Sequence, residues 1–145
     1  MNQTSKSLFD RIGGRETLAV LLRHFYADVR QHQLIGPIFN QHIHDWPAHL
    51  AKVSEFWARL TGGPSDFVGS LPFKHAGLGL DARHFDVWLG LWVANCQSYV
   101  APPEAGEMVQ LARMIGRRLQ SILVDKEVPE RPQLTVAARG PRRLV

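Results

Sequence analysis

Between Thr17 and Val29 the apolar residues Leu18, Leu21, Leu22, Phe25 and Val29 recur every three or four positions, with Tyr26 beside them. That interval places one stripe on a helix, so a helix is predicted over this stretch. Gly13-Gly14 breaks the chain before it and leaves a short leading helix over Ser5 to Ile12. A second stripe runs Trp46, His49, Leu50, Val53, Phe56, Trp57 and Leu60. Its helix is expected to begin at Asp45, whose carboxylate can cap the free N–H groups, with Pro47 in the first turn where a missing N–H does no harm. Gly62-Gly63-Pro64 ends it. Asp81 is predicted to cap a long helix with Phe85, Trp88, Leu89, Trp92, Cys96 and Tyr99 on one side, stopped by Pro102-Pro103. The last helix, about Glu104 to Val124, buries Met108, Leu111, Ile115, Leu119 and Ile122 and leaves Arg113, Arg117 and Arg118 to solvent. No segment alternates as a strand, and the predicted fold class is all-α.

Residues 61 to 80, TGGPSDFVGSLPFKHAGLGL, are so punctuated by glycine and proline that only a turn or two of helix fits, around Pro72 to Ala76. A loop region thus carries Lys74 and His75. The stretch before the Asp45 cap, with His42 and His44, is also expected to be loop.

With 145 residues, 45% of them hydrophobic, the chain has the size of one domain and can build a core without staples. Cys96 is the one cysteine, which excludes an intramolecular disulfide and points to a reducing compartment. No stretch nears the roughly 20 apolar residues that span a bilayer, and the N-terminus lacks a signal-peptide pattern. A soluble cytoplasmic protein with no membrane partner is expected. The formal charge of +4 invites a nucleic-acid reading, but half of that excess lies in residues 125 to 145, a proline-containing stretch without periodicity. The expected organisation is one domain over residues 1 to 124 and a flexible basic appendage over 125 to 145. A helical nucleic-acid-binding module is disfavoured, because no helix-turn-helix signature precedes the arginines of the last helix.

Candidate chemistry begins with two histidines. His49 sits inside an apolar stripe although polar positions on its helix were available. His75 lies between Phe73 and Leu78 in a loop that can contribute little packing. His42, His44 and His49 do not make a metal cage: they lack the i, i+4 pairing on one helical face, and no second cysteine helps. A pocket that also received Tyr26 and Trp88 would hold two donors besides His49, side chains that need a hydrogen-bond partner when buried. A polar ligand in an apolar cavity would supply one. Cys96, two turns beyond Trp88, reads as core.

Several motifs together resemble the truncated haemoglobins, short globins with a two-over-two helical sandwich around haem. SLFDRIGG followed by LLRHFYADVR resembles the opening of that family. LIGPIFNQ followed by DWPAHLAKVSEFW resembles its third group in particular, and FKHAGLGLDARHFDVWLGLW resembles the segment with the haem-binding histidine and the helix after it. The leading DRIGG and the GGP after Leu60 look more like the first and second groups. The resemblance spans about residues 7 to 124.

The resemblance implies haem b as cofactor, His75 as the proximal iron ligand, and Tyr26, His49 and Trp88 as the distal residues that stabilise or gate a bound ligand. It implies Phe39 packed on the porphyrin, Lys52, Lys74 and Arg83 within reach of the propionates, and Val53, Leu71, Phe85 and Ile115 as apolar lining. The expected partners are O₂, NO, CO or peroxide, with a reductase where turnover is sustained. Donors aimed at a partly negative ligand slow its release, which favours redox detoxification of NO or peroxide over bulk O₂ transport. A carrier or sensor without turnover would use the same site.

Overall fold

The computed structural model describes residues 6–68 and 80–127, with side chains described as far as residue 121. Six helices are placed among them: α1 (Leu8–Ile12), α2 (Gly14–Gln31), α3 (Gly36–His42), α4 (Trp46–Leu60), α5 (Ala82–Tyr99) and α6 (Glu104–Glu127). No strand occurs among the described residues. Helix α2 is the hub, packed on α1, α3, α4 and α5, while α5 pairs with α6. The pairs α2/α4 and α5/α6 form two layers that meet through α2 and α5.

The predicted stripe of α2 is the centre of the core, with Leu18, Leu21, Leu22, Phe25 and Val29 all 2% exposed or less. Burying each such side chain contributes about 1.5–3 kcal/mol of transfer free energy. Trp92, fully buried on α5, stacks on Trp57 of α4 with ring centroids 4.5 Å apart, and its indole N–H donates to the Met108 carbonyl of α6 at 3.1 Å. One side chain thereby ties three helices together. Asn95 adds a polar tie, donating to the carboxylate of Asp28 on α2 and to the Leu91 carbonyl, both at 2.9 Å.

Both predicted aspartate caps form. Asp45 accepts from the Ala48 N–H at 3.1 Å and Asp81 from the Arg83 N–H at 2.9 Å. Helix α1 starts at Leu8 rather than Ser5, capped by the Ser7 hydroxyl at 3.1 Å from the Asp10 N–H. Gly13, at φ 113°, closes α1 and opens α2, so α2 begins three residues before Thr17.

Three expectations need correction. The stretch before Asp45 is not all loop: residues 36–42 form α3, with Pro37 in its first turn and His42 as its last residue, the ring Nδ1 2.9 Å from the Ile38 carbonyl. Tyr99 is not on the buried side of α5 but 38% exposed, its ring stacked on His24 at 4.6 Å. Helix α6 continues to Glu127, which takes residues 125–127 out of the expected appendage. The remaining appendage and the turn around Pro72 to Ala76 lie outside the described residues, as does the Ile122 side chain.

Candidate functional site

Between the two layers lies an apolar cavity with about 680 Å³ of space free of protein atoms, part of it open to solvent. Its wall draws on every long helix. Tyr26 comes from α2, Phe39 from α3, His49, Val53, Phe56 and Trp57 from α4, Phe85 and Trp88 from α5, and Ile115 and Leu119 from α6. Ile35, Leu80 and His84 complete it.

Tyr26 follows Phe25 on α2, so its side chain leaves the helix beside the core stripe and enters the cavity. Its ring is held edge-on by Phe25 at 4.9 Å, His49 at 5.4 Å and Phe39 at 6.4 Å, and tilted against Trp46 at 5.8 Å. The residue is 8% exposed, and its hydroxyl makes no hydrogen bond among the described residues. Burial pushes the phenol pKa well above its ordinary value, so the group stays protonated and can donate. His49, half-buried one turn into α4, packs edge-on to both Tyr26 and Trp46, the latter at 5.5 Å. Arg30 closes the outer side with its guanidinium 4.5 Å over the Trp46 ring. Trp88 lines the cavity from the opposite layer, half-buried and edge-on to Phe25 at 6.3 Å.

The cap of α5 doubles as part of the wall. Asp81 and His84 form a reciprocal capping box, in which the Asp81 N–H donates to His84 Nδ1 at 2.9 Å. The same Nδ1 lies 3.1 Å from the Asp81 carboxylate. Partial burial opposes the Asp81 charge, yet bonds from the Arg83 side chain and N–H hold the carboxyl below the usual range.

The sequence-predicted residues divide into three sets. Tyr26, His49, Trp88, Phe39, Val53, Phe85 and Ile115 converge on the one cavity. Lys52 and Arg83 lie on exposed surface, Arg83 folded back on Asp81 with contacts of 3.3 and 3.4 Å. Leu71, Lys74 and His75 lie outside the described residues. Sequence reasoning did not single out Ile35, Phe56, Trp57, Leu80, His84 or Leu119 as lining. Leu119 was legible as the residue one turn beyond Ile115, and His84 as the third helical residue after the Asp81 cap. Among the described residues no group of three or more histidine, cysteine or acidic side chains could hold a metal ion.

The residues present suit a large, flat, mainly apolar cofactor. The wall is almost wholly aliphatic and aromatic, and its polar members are directed donors rather than fixed charges. A two-layer helical sandwich around such a cavity defines a short haem-pocket globin. The chain belongs to the bacterial-like globin family, whose model matches residues 7–117. It is similar to the group 3 truncated hemoglobin ctb of Campylobacter jejuni, 32% identical over 114 residues that make up 75% of this chain and 90% of the relative. The group 1 truncated hemoglobin GlbN of Mycolicibacterium paratuberculosis is 36% identical over 86 residues, 58% of this chain and 61% of that one. The crystal structure of the group III truncated hemoglobin from Campylobacter jejuni superposes with a TM-score of 0.71, covering 76% of this chain and 91% of that chain. The group II protein from Bacillus anthracis, at 19% identity, shares the fold with the same TM-score. Family membership implies haem binding and, through haem, binding of diatomic gases such as O₂.

Proposed function

We infer that the protein holds haem b between its two helical layers and retains a diatomic ligand for redox chemistry rather than releasing it quickly. Haem, when bound, supplies the iron that takes up O₂, NO or CO and exchanges electrons with it. His75 is the proposed axial ligand, on the strength of its place in the FKHAG motif. Phe39, Val53, Phe85 and Ile115 enclose the porphyrin, Leu71 adds to the lining, and Lys52, Lys74 and Arg83 serve the propionates at the rim.

The observation that carries this reading is the convergence of Tyr26 and Trp88, from different layers, on one apolar cavity. The Tyr26 phenol is held protonated and its ring is fixed by four aromatic neighbours. A donor fixed before the ligand arrives needs no reorganisation to stabilise partial negative charge on it. Trp88 provides a second N–H, and His49, beside Tyr26 and Trp46, tunes the pair or gates entry. Strong retention suits detoxification of NO or peroxide, supported by a reductase, and the basic surface favours an acidic one.

The test is absorption spectroscopy of the full chain with haem supplied, ferric and then ferrous, with and without CO, beside His75→Ala. A sharp Soret band that shifts with CO and is lost or altered in the variant is the expected result. Failure to bind haem stoichiometrically removes the reading. Turnover of NO or peroxide with a reductant then separates an enzyme from a carrier or sensor.

A further inference from the structure

Trp57 lines the cavity, and its ring stacks on that of Trp92 at 4.5 Å with only 17° between the planes. Trp92 is fully buried, and its N–H already has an acceptor in the Met108 carbonyl. Seven residues further along α5, two turns and about 10.5 Å toward its C-terminal end, stands Tyr99, 38% exposed and stacked on His24. The chain has only two tyrosines, and Tyr99 is the one at the surface. The stack on His24 needs an aromatic ring but not its hydroxyl. Resting on the haem-binding reading above, we propose that Trp57, Trp92 and Tyr99 form an electron relay from the cavity to the surface, with Tyr99 and His24 as the place where small one-electron donors of the phenol or ascorbate class are oxidised.

The direction follows from where a proton can go. A phenol gives up an electron readily only if its proton leaves with it. Tyr26 is 8% exposed and its hydroxyl makes no hydrogen bond among the described residues, which makes it a poor exit although it is nearer the site. Tyr99 opens to water, which takes its proton. The indole of Trp92 shares its proton with a carbonyl and can pass an electron without losing it.

The balance closes with hydrogen peroxide as oxidant. One peroxide and two donor molecules, each giving one hydrogen atom, yield two waters and two donor radicals. Electrons cross one at a time, from Tyr99 to Trp92 to Trp57 to the haem site, and each donor then restores hydrogen to the Tyr99 oxygen. Without a donor, Tyr99 radicals on two chains couple: a C–C bond forms between the rings, and the displaced ring hydrogens move to the phenol oxygens.

The experiment uses the full chain with its haem occupancy measured, treated with hydrogen peroxide without a donor. It is read by freeze-quench electron paramagnetic resonance, dityrosine fluorescence, and peptide mapping of the covalent dimer. The wild type should give a tyrosyl signal and a dimer joined through Tyr99. Tyr99→Phe, a surface change, should lose the dimer and hold a longer-lived tryptophanyl signal. Trp92→Phe and Trp57→Phe should lower the dimer yield several-fold at equal haem occupancy. Equal yield in both tryptophan variants, or radical damage ending at Tyr26 or Cys96, overturns the relay. So does peroxide consumption by Tyr99→Phe with no aromatic radical at any time. Haem that never loads removes the proposed function and the relay together, whereas loading with peroxide consumed and Tyr99 untouched removes the relay alone.

Discussion

Tyr26→Phe removes one oxygen atom and leaves the ring in its aromatic setting, so it isolates the donor. In the ligand-free protein Tyr26 is 8% exposed and its hydroxyl makes no hydrogen bond among the described residues. Its loss should therefore leave stability unchanged within about 0.5 kcal/mol. With O₂ captured the balance changes. A hydrogen bond to a charged acceptor is worth about 1.5–3 kcal/mol, and each 1.4 kcal/mol is about a factor of ten. The ferrous haem form of Tyr26→Phe should thus release O₂ roughly ten- to a hundred-fold faster, measured by stopped-flow replacement of O₂ with CO. CO carries less charge, so its own release should change far less. Urea titration of the ligand-free protein supplies the second half. An unchanged O₂ release rate refutes the donor role of Tyr26. A large stability loss in the ligand-free protein instead shows that the hydroxyl holds the fold, and the kinetic comparison then loses its meaning. Trp88→Phe, alone and combined with Tyr26→Phe, measures how far the two donors act on one ligand.

Three further outcomes follow from the geometry. Asp81→Ala removes the carboxylate that caps α5 while the backbone N–H at position 81 still holds the His84 ring, and should cost about 1 kcal/mol in urea titration. Gly36→Ala should destabilise by about 1–3 kcal/mol, because its Cβ would meet the Arg30 carbonyl oxygen at 2.6 Å, and backbone on both sides cannot give way cheaply. In alkali, burial raises the Cys96 thiol from an ordinary 9.0 to about 12, so the stability linked to its neutral form is full below pH 9 and is lost as pH rises toward 12. Cys96→Ala should flatten that part of the pH–stability curve, and an unchanged slope would show that the thiol does not titrate in this window.

Most of the fold was legible because periodicity and caps agree: the α2 stripe, Asp45 with Pro47 and Asp81 each mark what the structure forms. Helix α3 went unread because seven residues are too few to show a helical stripe. Here Gly36 is required by a carbonyl from the end of α2, a tertiary contact that no local pattern announces. Tyr99 was misplaced for a related reason, since position on a helical stripe does not say where the neighbouring layer ends. The distal side of the site was legible through side-chain chemistry, as Tyr26, His49 and Trp88 are amphipathic residues inside apolar stripes. His84 was not, because its role as cap partner masks its presence in the wall. His75 rests on motif alone.

What the two layers add to that list of residues is rigidity in the right places. Tyr26 and Trp88 sit on α2 and α5, the helices that join the layers, and both rings pack on Phe25, itself 1% exposed. The distance between the donors is therefore set by contacts to one buried ring rather than by a loop. His49 is different: it lies near the start of α4, half-buried, against Trp46, which meets solvent through Arg30. The donor pair is thus fixed from the helices that join the layers, and His49 from α4 beside them. Ligand retention should accordingly follow Tyr26 and Trp88, and ligand entry should follow His49 and Trp46, so that changes at the rim alter association rates more than dissociation rates.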